Sequence, residues 1–102
     1  MSDIRKSRAA LVKRVLEGAG KASASQRQAA FNTNVPAGPV GELVGKVAMH
    51  ACRVTDEDIK AAHEAGLSED QIFEIVVCAA IGQAARQYDS ALAALEATSR
   101  ME

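Results

Sequence analysis

Residues 54–95 read VTDEDIKAAHEAGLSEDQIFEIVVCAAIGQAARQYDSALAAL, and this stretch decides the fold. Thr55, followed three positions on by Asp58, has the form of a capping box, in which hydroxyl and carboxylate satisfy each other's backbone amides. Ile59 and Ala62 give the helix that follows its inward face. Gly66 ends it, because glycine enters the left-handed region cheaply. Ser68 and Gln71 repeat the box, and Leu67 can staple to Ile72 across the new helix start. Residues 72–81 are apolar nearly all round, so this part of the last helix is expected at the centre, contacted on several sides. Beyond Gly82 the pattern narrows to Ala84, Ala85, Tyr88, Leu92 and Leu95, and the helix is expected to run to about Ala97.

Upstream, Pro39 can open a helix at its first position. Val40, Leu43, Val44, Val47 and Ala51 follow at helical spacing to about Arg53. Glu42 and Lys46 lie four apart in the favourable order for an ion pair. Residues 19–41 are small and polar and carry both prolines. A short helix around Gln26 to Phe31, capped by Ser25, interrupts loop chemistry over NTNVPAGPVG. Residues 3–17 form a stripe of Ile4, Leu11, Val12, Val15 and Leu16, capped by Ser2 or Asp3 and ended by Gly18 and Gly20. The polar face of that helix bears Arg5, Lys6, Lys13 and Arg14, a solvated face or a contact for an acidic partner. No segment alternates as a strand does and no internal repeat stands out.

The chain has 102 residues, which sets the expectation of one domain. It is 48% hydrophobic but only 3% aromatic, with no Trp. An alanine-rich core gains less burial energy per residue, and small domains are already marginal. Covering apolar helix faces by oligomerisation offsets that shortfall. The net charge of −1 gives no reason to expect nucleic acid or an anionic membrane as partner. Two cysteines do not suggest a disulfide framework. The first residues lack the apolar run of a signal peptide, and the run from 75 to 81 is far too short for a bilayer. Cytoplasmic placement is the expectation.

The order of short helix, Gly66-Leu67 turn and long apolar helix resembles the core of the alkylhydroperoxidase D / carboxymuconolactone decarboxylase superfamily. The resemblance covers roughly the last two-thirds of the chain. It implies an all-α, AhpD-like bundle of about five helices with a long last helix. It also implies assembly as a homo-oligomer, trimer or hexamer, with active sites near subunit contacts. The redox branch carries a C-x-x-C pair at a helix N-terminus, a histidine four residues later and a glutamate on the preceding helix. Counting back from Gly66 puts Ala51 and Val54 at the thiol positions and Asp58 at the histidine position. Counting forward from Glu42, taken as the relay glutamate, puts Val54 and Glu57 at the thiol positions. Neither register finds a cysteine, so efficient dithiol peroxide reduction is not expected. The decarboxylase branch places a histidine where Asp58 stands and a Y-x-G-x-P turn in the last helix. Gly82 matches that glycine, whereas Ala80 and Ala84 replace the tyrosine and proline.

The reactive residues left are few. His50, Cys52 and Asp58 are the candidate catalytic set, since a histidine oriented by a carboxylate makes a general base or thiol activator. The competing reading is a surface histidine beside a buried cysteine. Cys78, inside the apolar run, reads as a small hydrophobe. His63 reads as solvated. A metal site from His50, Cys52 and His63 lacks a fourth ligand and the right spacing. Arg86, suited to gripping a carboxylate, and Glu42 are the candidate ligand-binding residues. Gly82 inside a helix costs about 1 kcal/mol against alanine, which a close helix approach would explain. No cofactor is expected. The leading functional expectation is a catalytically divergent family member that binds a small acidic or carbonyl compound or supports a partner enzyme. An enzyme built on His50 and Asp58, and a structural homo-oligomer, are the alternatives.

Overall fold

The computed structural model describes residues 2–101, with side chains described for residues 5–100. Among them are five α-helices and no strand: α1 (Ser2–Glu17), α2 (Ala24–Phe31), α3 (Pro39–His50), α4 (Asp56–Glu64) and α5 (Glu69–Met101). The expected cap at Ser2 or Asp3 and the inward Ile4 lie outside the described side chains.

Capping chemistry places most of the boundaries. At α4, Thr55 Oγ1 accepts from the Asp58 amide while the Asp58 carboxylate accepts from the Thr55 amide. At α5, Ser68 and Gln71 exchange the same pair of bonds at 3.1 and 2.8 Å. Gly66 has φ 109°, the left-handed region that lets the chain reverse between α4 and α5. Pro39 sits at the start of α3, preceded by Gly38 at φ 144°.

Three boundaries depart from the sequence reading. The cap of α2 is Ser23 rather than Ser25, paired with Gln26. Both serines have a glutamine three positions on, so the local motif is degenerate. The upstream choice frees the Lys21 and Ala22 amides to bind Glu74 of α5. Helix α3 stops at His50, where φ −149° and ψ 59° break the helix before a 3-10 turn over Ala51–Arg53. Helix α5 continues to Met101, past the expected end at Ala97.

The core has two joined parts. Leu16, Ala30, Val44, Ile75, Cys78 and Ala79 pack α1, α2 and α3 on the middle of α5. Leu43, Ala62 and Ile72 join α3 to the α4–α5 turn, with Leu67 against them as the staple requires. Helix α2 crosses α5 at Gly82, where an added Cβ would overlap the Phe31 carbonyl. The expected close approach is therefore present. Helix α1 runs antiparallel to α5, because Arg8 bonds Asp89 and Arg5 pairs with Glu96 while Val15 lies by Cys78. Arg8 also stacks over the Tyr88 ring, 5.3 Å from its centre. Leu11 departs from its inward assignment, being 53% exposed.

Candidate functional site

Asp58 is gripped from two elements. Lys46 Nζ of α3 donates to both carboxylate oxygens at 2.9 Å, and the Thr55 amide and hydroxyl donate at 2.9 and 3.1 Å. The lysine contact, then the backbone amide, hold this carboxyl below the usual aspartate range. The expected partners differ on both sides. Lys46 reaches across to α4 rather than along α3 to Glu42, which is exposed and has no ion pair among the described residues. His50 is exposed at the end of α3 and forms no hydrogen bond to Asp58. With its lone pairs taken by Lys46 and Thr55, Asp58 holds α3 and α4 together and is not poised to orient an imidazole.

Cys52 is exposed in the 3-10 turn, and Cys78 is buried; both thiols are free. Burial pushes the Cys78 thiol up from its ordinary value, which keeps it protonated and unreactive. The small-hydrophobe reading of Cys78 fits this environment.

Arg86 binds the end of α2. Its guanidinium donates to the Phe31 carbonyl at 2.7 Å, to Thr33 Oγ1 at 2.9 Å and to Gln83 Oε1 at 3.1 Å. It thereby satisfies the C-terminal end of α2, whose last carbonyls have no partner within their own helix. Thr33 takes φ 52° there, unusual for a β-branched residue, and Arg86 holds it.

One polar cluster escaped the sequence reading. Glu74, inside the apolar run, accepts from the Lys21 and Ala22 amides at 2.8 and 2.5 Å, and these bonds lower its pKa. Arg27 is only 7% exposed and donates to the Val15 carbonyl at 3.0 Å. The signal available was the single charge at position 74 in an apolar helix, which demands a partner; the partner is long-range and carries no motif.

An open concavity lies between α4 and α5. It is a groove of about 560 Å³ lined by Ile59, Ile72, Phe73 and Val76, with Asp56, Lys60, His63 and Glu69 at its rim. Phe73 is 69% exposed. His63 Nδ1 lies 2.8 Å from the Leu67 carbonyl. A carbonyl oxygen only accepts, so Nδ1 donates this hydrogen bond. His63 is exposed, as its sequence position suggested, and its ring is oriented by this bond. None of His50, Cys52, Asp58 or Arg86 lines this groove. Among the described residues no three His, Cys, Asp or Glu side chains gather to hold a metal ion. No helix among them is long and apolar enough to cross a membrane.

Comparison with known proteins returns no match: no family model fits the chain, and no curated protein or solved structure is significantly similar to it.

Chemically, the arrangement offers an apolar groove with a mostly acidic rim and a single lysine. Among the described residues, no hydrogen bond joins His50 or Cys52 to Asp58.

Proposed function

We propose that this chain is a catalytically divergent protein of the alkylhydroperoxidase D / carboxymuconolactone decarboxylase type that works as a homo-oligomeric scaffold, without dithiol peroxidase chemistry. The observation that carries this reading is Phe73. A phenylalanine 69% exposed beside Ile59 and Val76, on an open apolar groove, has the composition of a contact surface. Of the candidate catalytic and ligand-binding groups, Asp58 binds Lys46 and Arg86 closes α2.

Binding of a small acidic compound in the same groove is the weaker reading. Asp56 and Glu69 stand at the rim against the one cation, Lys60, so an anion entering there meets net repulsion. An enzyme using His50 and Asp58 requires Lys46 to release the carboxylate first.

The test has two readouts on the purified protein. Assay with an alkyl hydroperoxide and a dithiol reductant is expected to give no efficient turnover, and sedimentation to give an oligomer. Robust turnover that disappears in Cys52→Ser would overturn the reading and make Cys52 the peroxide-reducing thiol.

A further inference from the structure

The outward face of α5 lacks the charges that the solvent side of a surface helix carries. Ile75, Cys78, Ala79, Gly82 and Ala85 turn this helix to the core. On the opposite side Phe73, Val77, Ala80, Ala84, Tyr88, Ala91 and Leu95 follow one another at steps of three or four, the spacing of a single helix face. All are exposed except Val77, which is half-buried. No Asp, Glu, Lys or Arg occurs from 75 to 85. Two grooves widen the apolar surface. The α4–α5 groove reaches the stripe at Phe73. A second, of about 390 Å³, lies between α1 and α5 beside Ala84 and Tyr88, with Leu11 53% exposed on its α1 side.

The stripe is symmetric about Ala84. Phe73 and Leu95 lie eleven positions to either side of it, Val77 and Ala91 seven, Ala80 and Tyr88 four. A half-turn about Ala84 lays the α5 of a second copy antiparallel on the first. It sets Tyr88 against Ala80, Val77 against Ala91 and Phe73 against Leu95. Near the axis each bulky side chain meets a small one, so the two faces interdigitate, and the alanine on the axis lets the helices approach closely. The carboxylates at the end of the stripe, Glu69 and Asp70, come opposite the hydroxyl residues Ser99 and Thr98. A parallel pair would set those carboxylates against their own copies, Tyr88 on Tyr88, and alanine on alanine. Size fits as well. From Phe73 to Leu95 the stripe is about 33 Å long at 1.5 Å per residue. Over a molecule 20 to 28 Å broad, a contact of that length covers on the order of 800 Å² of each copy, which is what a stable pair buries per partner.

We infer that the outward face of α5 is a two-fold contact between copies of this chain, the two helices running antiparallel and crossing at Ala84. This inference rests on the homo-oligomeric reading above and specifies its geometry. A two-fold contact uses the same patch on both copies, with residue i meeting j while j meets i. The stripe meets that demand with its apolar side chains alone.

Cysteine cross-linking reads the register. In a Cys52→Ser background the remaining native thiol, Cys78, is buried. Ala84→Cys is expected to give, under a mild oxidant, a disulfide-linked pair of twice 10.7 kDa, because the two copies of residue 84 meet on the axis. Ala91→Cys alone is expected to give none. Its two copies stand about 21 Å apart along the antiparallel pair, well beyond the Cα separation of about 7 Å that a disulfide spans. Mixed with Val77→Cys chains, it is expected to cross-link. Sedimentation velocity on Ala84→Arg supplies a second readout. The site is exposed and arginine is nearly as good a helix former as alanine, but two cations then meet on the axis. The variant is expected to fall to half the wild-type mass or less with its helical circular dichroism unchanged. Ala91→Cys linking to itself, Ala84→Cys or the mixture staying unlinked, or Ala84→Arg keeping the wild-type mass would overturn the α5 contact while leaving the scaffold reading in place. A wild type that is itself a single chain would overturn both.

Discussion

Asp58 joins two helices through one carboxylate, accepting from Lys46 on α3 and from the Thr55 amide and hydroxyl at the start of α4. Thr55→Ala removes the hydroxyl half of the cap and is expected to cost about 1 kcal/mol in urea denaturation. Asp58→Asn removes the ion pair and lowers stability at neutral pH. Its pH dependence has a definite sign. The folded carboxyl sits below its usual range, so its contribution is complete above the unfolded pKa and is lost as pH falls through the folded value. Wild type and Asp58→Asn should therefore differ at neutral pH and converge in acid below the folded carboxyl's pKa. A gap that persists there would mean that the aspartate works through packing, not charge. Thiol chemistry separates the two cysteines in the same way. Cys52 is exposed and Cys78 is buried with its thiol pushed up. A thiol reagent should modify one cysteine in the native protein and the second only on unfolding. Equal rates at both sites would contradict the buried position of Cys78.

Helix packing concentrates on the crossing of α2 and α5. Gly82→Ala gains about 1 kcal/mol of helix propensity but drives a methyl into the Phe31 carbonyl. Overpacking of this kind costs about 1–3 kcal/mol, and the oxygen displaced is the one Arg86 binds. Net destabilisation is expected in urea denaturation; a gain in stability would mean that α2 moves aside freely. Arg86→Ala leaves that carbonyl without its partner and should cost about 1–3 kcal/mol. The helix starts at Thr55 and Ser68, the Gly66 turn and the glycine at the crossing were legible in the sequence because each depends on residues a few positions apart or on the absence of a side chain. The roles of Lys46 and Arg86 were not. Lys46 has Glu42 one turn away and Asp58 twelve positions away, and only the folded path of the chain brings the second within 2.9 Å. The end of α3 at His50 was hidden too, since no glycine or proline marks it.

Across the whole molecule, the shape is extended. The Cα radius of gyration is 15.5 Å and the longest dimension 54 Å, against about 13 Å for the radius of a compact chain of 100 residues. Helix α5 supplies the length: beyond Arg86 only Leu92 of its described side chains is even half-buried, and α1 accompanies it through Arg8–Asp89 and Arg5–Glu96. Exposed ion pairs of this kind contribute little on their own. The all-round apolar character of residues 72–81 is thus only half used within one chain: Ile72, Ile75, Cys78 and Ala79 are buried while Phe73 is not. The proposed scaffold accounts for that leftover surface by covering Phe73. Removing an anchoring aromatic from an interface costs about 2 kcal/mol or more, enough to disperse a moderately stable assembly. The most direct measurement is sedimentation equilibrium at micromolar concentration on the wild type and on Phe73→Ser. The expected result is a wild-type mass that is a multiple of 10.7 kDa and a Phe73→Ser protein shifted toward the single chain with its helical content intact. A wild type that sediments as a stable single chain, indistinguishable from Phe73→Ser, would contradict the account.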